Sequence, residues 1–325
     1  MSKRIFSGIQ PTGIIHLGNY FGAIYNWLEL QKEYDSIFSI VDLHALTVHQ
    51  DPKKLNRNIY DLAKIYIASG LDPKKNIVFR QSDVKEHVEL GWFLNCVTPI
   101  AELERMTQYK DKSEQHKQNV NSGLFTYPCL MAADILLYDT NVVPVGEDQL
   151  QHVELARTIA KKFNNLYGDV FILPEGKINK VSARLKGLDN PEKKMSKSAT
   201  SENNYIALSD DSDLIRKKIK KAVTDSGTDI KFDPNKRPAL ANLMTIYHLV
   251  TGKEAPEIEK EFKGKGYGDF KSELAERVVE FVEPIQKKFN SISDKEIDSI
   301  LADGAQRAKK LAEKKMEQVR KVIGL

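Results

Sequence analysis

The sequence contains little cysteine and no long apolar run. Its 325 residues include only Cys96 and Cys129, too few for a disulfide framework or a cysteine-based zinc site. Both lie among apolar residues and are expected in the core. No segment approaches the roughly 18 consecutive apolar residues of a membrane span, and no long apolar stretch follows Lys3 and Arg4 as in a signal peptide. We therefore expect a cytoplasmic protein without a membrane partner.

An excess of one charge is also missing. The chain has 49 Lys+Arg against 45 Asp+Glu, a formal net charge of +4, so any nucleic-acid surface must come from local clustering. The hydrophobic fraction of 41% and the charged fraction of 29% are typical of a globular protein. At about 150 residues per domain, the length predicts two domains.

Apolar strands alternate with helical segments in the first part of the chain. This alternation predicts an α/β fold with a parallel sheet covered by helices on both faces. Ligands bind such sheets at the carboxyl ends of the strands, which places residues 10–19 and 42–44 at the candidate site. The expected strands are Arg4–Ile9, Ser36–Val41, Asn76–Phe79 and Val142–Val145.

Strand patterns fade after Thr200, and helical periodicity continues to the last residues. We therefore divide the chain into an α/β domain at residues 1–200 and an all-helical domain at residues 201–325. A largely helical connective segment is expected at about residues 85–125, inside the first domain. The helices expected in the second domain are 211–223, 238–250, 254–262, 269–289 and 296–323.

Two short segments carry residues suited to phosphate chemistry. In PTGIIHLGN, residues 11–19, Gly18 permits a close approach to the backbone, while His16 and Asn19 supply donors near a helix N-terminus. A tight turn with His16 in an ordinary hydrogen bond is the alternative. In KKMSKS, residues 193–198, lysines can neutralise a polyphosphate as its leaving group departs. A solvated interdomain linker is the alternative for this loop.

The two segments, in this order on an α/β scaffold, resemble the signatures of class I aminoacyl-tRNA synthetases. In that class a His-x-Gly-His motif and a Lys-Met-Ser-Lys-Ser loop together bind ATP, whereas the fourth position of the first motif is Asn19 here. The chain is similar to the tryptophanyl-tRNA synthetases, in which asparagine is common at that position, through FSGIQPTG, HLGNYFGA, IVDLHALT, ELERMTQYKDKS, YPCLMAADILLYDTNVVPVGEDQLQHVELAR, KKMSKS and AVTDS. The resemblance implies a Rossmann-type catalytic domain, with its lysine loop at residues 194–198, and a helical domain that recognises the anticodon.

The resemblance implies a tryptophan pocket. Asp134 matches the residue that accepts the indole N–H, and a buried carboxylate needs a partner such as this substrate. His44 lies nearby, while Tyr127, Gln10 and Gln149 would hold the ammonium and carboxylate groups of the amino acid. Ordinary core packing is the alternative for each residue of the apolar walls, which would be Phe6, Val41, Met131, Ile135, Val143 and Val145.

The resemblance also implies an ATP site. Lys112, Lys194 and Lys197 match the lysines that hold the triphosphate with Mg²⁺, and with Gln10 they would be the catalytic residues. Leu185 matches a backbone contact to adenine. Mg²⁺ would be bound through ATP and by no protein side chain. The other ATP-binding residues would be Pro11, Thr12, His16, Gly18, Asn19, Gly146, Glu147, Asp148, Met195, Ser196 and Ser198.

The implied activity is the ligation of tryptophan to its tRNA. The tryptophan carboxylate attacks the α-phosphate of ATP, pyrophosphate leaves, and the adenylate then passes tryptophan to the 3′ end of tRNA(Trp). The partners would be L-tryptophan and tRNA(Trp), with no DNA, and the resemblance implies a homodimer. The basic cluster at residues 216–221 would contact phosphate, with a solvated helix face as the alternative.

Three other interpretations stay open. A tyrosyl-tRNA synthetase shares the fold, although MAAD at residues 131–134 and GIQPTG at residues 8–13 disfavour it. A simpler nucleotidyltransferase would share a histidine-containing first motif but would not need a helical domain. A non-catalytic relative that binds tryptophan or RNA would not need the lysine loop, which is intact here.

Overall fold

Strand β1, Arg4–Ile9, is the middle strand of a five-stranded sheet in the computed structural model of the protein. The structure describes residues 3–107, 120–178, 185–196, 199 and 201–325. The strand order is β3-β2-β1-β4-β5, and all neighbouring strands are parallel. The expected α/β fold with a Rossmann-type sheet is therefore confirmed. The other strands are β2 Asp35–Ile40, β3 Ile77–Arg80, β4 Val142–Val145 and β5 Glu175–Ile178.

Strands β2 to β4 form because their apolar side chains are buried on both faces of the sheet, including those of β3 at one edge. Such strands are continuous apolar runs in the sequence, as IVF in β3 and VVPV in β4 are. The register of β1 on β2 runs from Arg4 opposite Asp35 to Ile9 opposite Ile40. The sequence analysis missed β5 because its residues, EGKI, are all exposed at the edge of the sheet.

Helices connect the strands. Asp51 caps α4, because its side chain accepts a hydrogen bond from the backbone nitrogen of Lys54 at 2.8 Å. The expected connective segment at residues 85–125 contains α5, α6 and the start of α7, and residues 108–119 lie outside the described part. Among the described residues before position 200, the helices are α1 Leu17–Asn19, α2 Tyr25–Leu30, α3 Asp42–Ala45, α4 Pro52–Ala68, α5 Glu86–Val97, α6 Ile100–Glu104, α7 Ser122–Leu136 and α8 Leu150–Tyr167, with a π-helical turn at Tyr20–Ile24.

Five helices follow residue 200, close to the expected bounds. The last one starts at a cap predicted from Ser293 and Glu296: the Ser293 hydroxyl accepts from the Glu296 backbone nitrogen at 3.1 Å. Within the part of the chain that the structure describes, every helix is too short or too polar to span a bilayer. The five helices are α9 Ser212–Lys221, α10 Pro238–Thr251, α11 Ala255–Glu261, α12 Tyr267–Ser291 and α13 Asp294–Ile323.

The chain folds into two compact units. Unit 1 comprises Met1–Gly13, Trp27–Asn179 and Ile292–Leu325, whereas unit 2 comprises Ile14–Asn26 and Lys180–Ser291. These units differ from the expected division at residue 200, because α1 belongs to unit 2 and α13 to unit 1. The apolar stripe of an amphipathic helix predicts burial but does not identify the surface that it covers. The assignment of functions to the two expected domains stays a prediction.

Helix α13 packs against β3 within unit 1. A Cβ atom at Gly304 would overlap the carbonyl group of Val78, so glycine permits the close approach of the helix to the strand. The buried Lys315 extends the contact, because its Nζ lies 2.6 Å from Oδ1 of Asp139 and donates to the carbonyl of Val170 at 2.9 Å. The last helix is thus part of the same core as the sheet.

Unit 2 joins α1 and the π-helical turn to the helices α9 to α12. The ring of Phe281 in α12 lies 5.5 Å from that of Tyr20 and 5.2 Å from that of Phe21, measured between centroids. The backbone nitrogen of Leu17 donates to the carbonyl of Ile206 at 2.9 Å. The segment that carries the first signature is therefore held on both sides by residues beyond position 200.

Candidate functional site

Two loops leave the sheet where its strand order reverses. Gln10 follows the last residue of β1, and Gly146 follows the last residue of β4. Because β1 and β4 are neighbours, both loops lie at the switch point, where open α/β sheets bind ligands. The first loop carries the predicted residues Gln10, Pro11 and Thr12. The second carries Gly146 and the 3₁₀ turn Glu147–Gln149, which includes Asp148.

Asp134 lies in α7 and has an exposed fraction of 1%. Its Oδ2 lies 2.8 Å from Nε2 of His44, while its Oδ1 accepts from Nε2 of Gln81 at 2.7 Å and lies 2.6 Å from Nδ1 of His87. Asp134 thus has partners within the protein, and its contact with tryptophan stays a prediction. A carboxylate has about four acceptor sites, so these three partners leave capacity for one more donor.

The two histidines keep Asp134 ionised. Burial by itself raises the pKa of Asp134, but the charge and hydrogen bonds of His44 and His87 outweigh it and lower the pKa to about 2. At neutral pH the group is therefore a carboxylate that only accepts hydrogen bonds. Such a group, set in apolar surroundings, suits a ligand with a single N–H donor.

The predicted apolar wall residues lie in and around the core of unit 1. Phe6 stacks on Tyr138, with 5.7 Å between ring centroids and an interplanar angle of 10°. Val41 is buried at the end of β2, and Met131 is partly buried against the core. Contact of each with a ligand stays a prediction. The wall residues that belong to the core cluster itself are Phe6, Ile135, Val143 and Val145.

Tyr127 lies beside His44, with 6.2 Å between the ring centroids. Its hydroxyl lies 2.6 Å from Nε2 of the buried His152, a residue that the sequence analysis missed. Burial raises the pKa of Tyr127, so the hydroxyl stays protonated at neutral pH. The proposed contacts of Tyr127, Gln10 and Gln149 with an amino acid stay predictions.

In unit 2, the last three residues of the first signature, Leu17–Asn19, form α1. The backbone nitrogen of the buried His16 donates to Oδ1 of Asn19 at 3.3 Å, so Asn19 caps its own turn. A Cβ atom at Gly18 would lie 3.0 Å from Cε1 and Nδ1 of His16 and 3.6 Å from Cβ of Met195. The structure thus brings the two predicted signatures together.

Two buried asparagines hold the segment that contains the basic loop. Oδ1 of Asn204 accepts from the backbone nitrogen of Ser196 at 2.9 Å. Asn242 in α10 pairs with both backbone groups of Lys186, at 2.9 and 3.0 Å. The sequence analysis missed both residues, because an asparagine that binds backbone groups far along the chain leaves no local pattern.

The basic loop has one buried and one exposed predicted residue next to each other. Met195 is buried, and its backbone nitrogen donates to the carbonyl of Leu185 at 2.9 Å. Lys194 is exposed, as a lysine that meets a charged ligand must be. Lys112, Lys197 and Ser198 lie outside the described residues, so their roles stay predictions.

The basic cluster at residues 216–221 is partly neutralised by acidic neighbours. Nζ of the buried Lys218 lies 2.7 Å from Oδ2 of Asp210. Arg216 donates to both carboxylate oxygens of Glu276, at 2.8 and 2.9 Å. Burial excludes Lys218 from a phosphate-binding surface, whereas Arg216 is partly exposed and its contact with phosphate stays a prediction. The exposed members are Lys217, Lys220 and Lys221.

The two cysteines differ in their surroundings. Cys129 is buried as expected, but Cys96 is exposed, so its predicted place in the core is wrong. Cys96 lies on the outer face of α5, one helical turn after the exposed Trp92. Among the described residues, no group of three or more His, Cys, Asp or Glu side chains is arranged to hold a metal ion.

Comparison with known proteins gives one consistent family. Residues 2–283 match the model of the family described as tRNA synthetases class I (W and Y). The tryptophan–tRNA ligase of Caldanaerobacter subterraneus subsp. tengcongensis is 53% identical over 323 residues, which cover 99% of this chain and 98% of that protein. The tryptophan–tRNA ligase of Bacillus subtilis is 51% identical over 326 residues, which cover 100% and 98%.

Solved structures share the fold along the full chain. The tryptophanyl-tRNA synthetase of Mycoplasma pneumoniae matches with a TM-score of 0.92 at 36% identity, covering 100% of this chain and 98% of that one. The tryptophanyl-tRNA synthetase of Campylobacter jejuni, complexed with ADP and tryptophan, matches with a TM-score of 0.86 at 40% identity, covering 99% and 100%.

Proposed function

Because the chain belongs to the class I tRNA synthetases for tryptophan and tyrosine, we propose that it activates L-tryptophan with ATP and transfers it to the 3′ end of tRNA(Trp). The observation that carries the choice of tryptophan is Asp134, a buried carboxylate that only accepts hydrogen bonds, beside apolar core residues. Indole supplies one N–H donor on an apolar ring. The full-length identity with tryptophan–tRNA ligases supports the same choice.

The proposed activation step is an in-line displacement at phosphorus. An oxygen of the tryptophan carboxylate forms a bond to the α-phosphorus of ATP, the bond from that phosphorus to the bridging oxygen breaks, and pyrophosphate leaves with the electron pair. No general base is needed, because the carboxylate is already ionised. Catalysis then comes from positioning and charge, with Lys112, Lys194, Lys197 and Gln10 as the proposed catalytic residues. In the second step the terminal ribose hydroxyl of the tRNA attacks the acyl carbon and AMP leaves.

The other proposed contacts follow the two signatures and the two loops at the switch point. We assign ATP to Pro11, Thr12, His16, Gly18, Asn19, Gly146, Glu147, Asp148, Leu185, Met195, Ser196 and Ser198. Mg²⁺ is proposed to be bound through the phosphates of ATP, where it offsets their charge. We assign the tRNA anticodon to the helices after residue 200 and place the enzyme in the cytoplasm, where its product is used.

Pyrophosphate exchange with each of the twenty amino acids tests this function. We expect tryptophan alone to drive exchange of label between pyrophosphate and ATP, and Lys197→Ala to lower the rate about 100-fold with little change in tryptophan affinity. Exchange driven by tyrosine would move the protein to the tyrosine branch of the family. Tryptophan binding without any exchange would show a non-catalytic relative instead.

We propose that the protein is a homodimer that uses the outer face of α5. Val88 and Trp92 are one helical turn apart, with exposed fractions of 55% and 66%, and Ile100 in the next helix is also 66% exposed. An exposed apolar row with a tryptophan is typical of a protein interface, and a second copy of the chain is the partner that the family implies.

Sedimentation and thiol labelling test this interface. Wild type is expected to sediment as a dimer and Trp92→Lys as a folded monomer. Cys96 lies on the same face, so a thiol reagent should label it slowly in the dimer and rapidly in Trp92→Lys, while the buried Cys129 stays unlabelled in both. Equal sedimentation and equal labelling of the two proteins would place the interface elsewhere.

A further inference from the structure

Asp134 is backed by two further buried polar residues, His87 and Tyr138. Nδ1 of His87 lies 2.6 Å from Oδ1 of Asp134, and its other ring nitrogen, Nε2, lies 2.7 Å from the hydroxyl of Tyr138. Asp134 is 1% exposed, and the other two are 0% exposed. We call these three residues the Asp134 relay. Because buried polar groups must find partners within the protein, each proton in the relay has a defined place.

The direction of the hydrogen bonds in the relay follows from the acceptor at its end. The carboxylate of Asp134 can only accept, so Nδ1 of His87 carries a proton and donates it. When the His87 ring carries one proton, Nε2 is then an acceptor, and the hydroxyl of Tyr138 donates to it. Burial raises the pKa of Tyr138 well above its usual value, so this hydroxyl keeps its proton. The tyrosine hydroxyl is thereby the donor that complements the ring tautomer that Asp134 requires.

Aromatic contacts hold the relay in place. The ring of Phe79 in β3 stacks on that of His87, with 5.7 Å between centroids and an interplanar angle of 27°. The ring of Phe6 in β1 stacks on that of Tyr138. Phe6 is also a proposed wall of the tryptophan pocket. The relay is therefore fixed against two strands of the sheet and against the pocket wall.

The two carboxylate oxygens of Asp134 have different numbers of hydrogen-bond partners. Among the described residues, Oδ1 has two partners, Gln81 and His87, whereas Oδ2 has one, His44. An oxygen of a carboxylate accepts about two hydrogen bonds, so Oδ1 is saturated and Oδ2 retains one acceptor site. Because both oxygens belong to one planar carboxylate, a relay that holds Oδ1 in place also fixes the direction of the remaining lone pair on Oδ2.

We propose that His87 and Tyr138 are positioning residues for amino-acid selection, which fix the carboxylate of Asp134 so that Oδ2 accepts the indole N–H. This inference deepens the proposed function and rests on it. His87 acts through Asp134, and Tyr138 acts through His87. Loss of either residue should therefore weaken selection for the N–H group more than it weakens binding of the aromatic ring.

The test compares tryptophan with β-(3-benzothienyl)alanine, in which sulfur replaces the indole N–H. The measured quantity is the ratio of the two kcat/KM values in pyrophosphate exchange. We expect His87→Leu to lower this ratio roughly 10-fold to 100-fold, since a hydrogen bond to a buried charge is lost. His87→Asn keeps a donor close to the position of Nδ1 and should recover most of the ratio. Tyr138→Phe removes only the hydroxyl and should lower the ratio a few-fold.

Tyr66→Phe is the matched control, because Tyr66 is also buried in unit 1 but its hydroxyl donates to the carbonyl of Ser39 at 3.4 Å. Its ratio should equal that of wild type. If His87→Leu does not fold, Tyr138→Phe still decides the question. Folded variants in which both kcat/KM values fall equally would overturn the positioning role. Wild-type protein that tryptophan does not activate would instead overturn the proposed function, before any variant is compared.

Discussion

At the residue scale, the carboxylate of Asp134 loses its bound water on folding and gains three hydrogen-bond partners in the protein. A carboxylate that loses its water is costly unless hydrogen bonds and opposite charge replace the lost solvation. His44, Gln81 and His87 supply that replacement. Removal of one partner leaves a buried charge with too few donors, so the cluster responds to single substitutions more strongly than an exposed ion pair would.

The low pKa of Asp134 makes the stability of the folded protein depend on pH in the acid range. Its folded pKa is about 2, below the ordinary 3.8, so the unfolded chain takes up this proton first as the pH falls. The contribution to stability is complete above pH 3.8 and is lost as the pH falls toward 2. We expect it to amount to about 2 kcal/mol.

Urea unfolding of wild type and Asp134→Asn between pH 5 and pH 2 measures this contribution. The difference in free energy of unfolding between the two proteins should shrink as the pH falls, because the variant has no carboxylate to protonate at this position. A difference that stays constant over this range would show that the carboxylate has its ordinary pKa in the folded protein.

Asn204 gives a second prediction at this scale. Its Oδ1 accepts from the backbone nitrogen of Ser196, and its amide nitrogen donates to Oδ1 of Asp189 at 2.5 Å. We expect Asn204→Leu to lower kcat of pyrophosphate exchange about tenfold, because the basic loop loses a buried hydrogen bond, with the KM for tryptophan unchanged. Asn203→Leu is the neighbouring control, at a partly exposed position, and should match wild type. A changed tryptophan KM with unchanged kcat would contradict a role in the loop.

The sequence identifies some site residues better than others. Gln10 and His44 follow strands, so the position of the strands leads to them directly. Gln81 follows β3 in the same way, so the position of that strand also predicts it as a candidate site residue. His87 and His152 lie inside helices that bury them, and no local pattern distinguishes them from other helical histidines. Their roles depend on residues brought together from distant parts of the chain.

At the element scale, burial on both faces decides which strands the sequence reveals. The apolar runs of β1 to β4 predict strands almost to the residue, whereas the exposed β5 has only backbone pairing to mark it. Helix positions after residue 200 are equally well predicted from periodicity. The surface that each helix covers is not predicted, as α13 shows. The apolar stripe of a helix can pack on many different apolar surfaces.

Gly304 yields a prediction at this scale. A methyl group there would overlap the carbonyl of Val78, so Gly304→Ala must push α13 away from β3. We expect a loss of about 1 to 3 kcal/mol in free energy of unfolding, measured by urea titration. Gly268→Ala in α12 is the control, since no atom lies within 4 Å of its added Cβ, and it should be neutral or slightly stabilising. Equal stability of Gly304→Ala and wild type would contradict the close packing.

At the scale of the whole molecule, the two units do not follow the order of the chain. Unit 1 takes its last segment, Ile292–Leu325, from beyond all of unit 2. The sequence predicts an α/β region followed by a helical region, but this order does not show that the chain returns to its first unit. Non-local contacts of this kind arise from packing between distant segments, which a single sequence does not display.

Truncation tests the role of the last segment. A chain that ends at Ser291 lacks α13, so the core cluster of unit 1 loses Ala308, Ala312, Met316 and Val319. We expect its Tm, measured by circular dichroism, to fall well below that of wild type, because several buried apolar side chains are lost at once. A chain that ends at Ile323 is the control and removes only exposed residues. A truncated chain with the wild-type Tm would show that unit 1 is complete without α13.

During synthesis, β3 leaves the ribosome long before its partner helix exists. β3 ends at Arg80 and α13 begins at Asp294, and at about 5 to 20 residues per second the interval lasts roughly 10 to 40 s. Through that time the apolar residues of β3 lack the cover that α13 gives them in the finished protein. The nascent chain therefore exposes an apolar strand face to which chaperones can bind, and unit 1 is completed only after α13 has been translated.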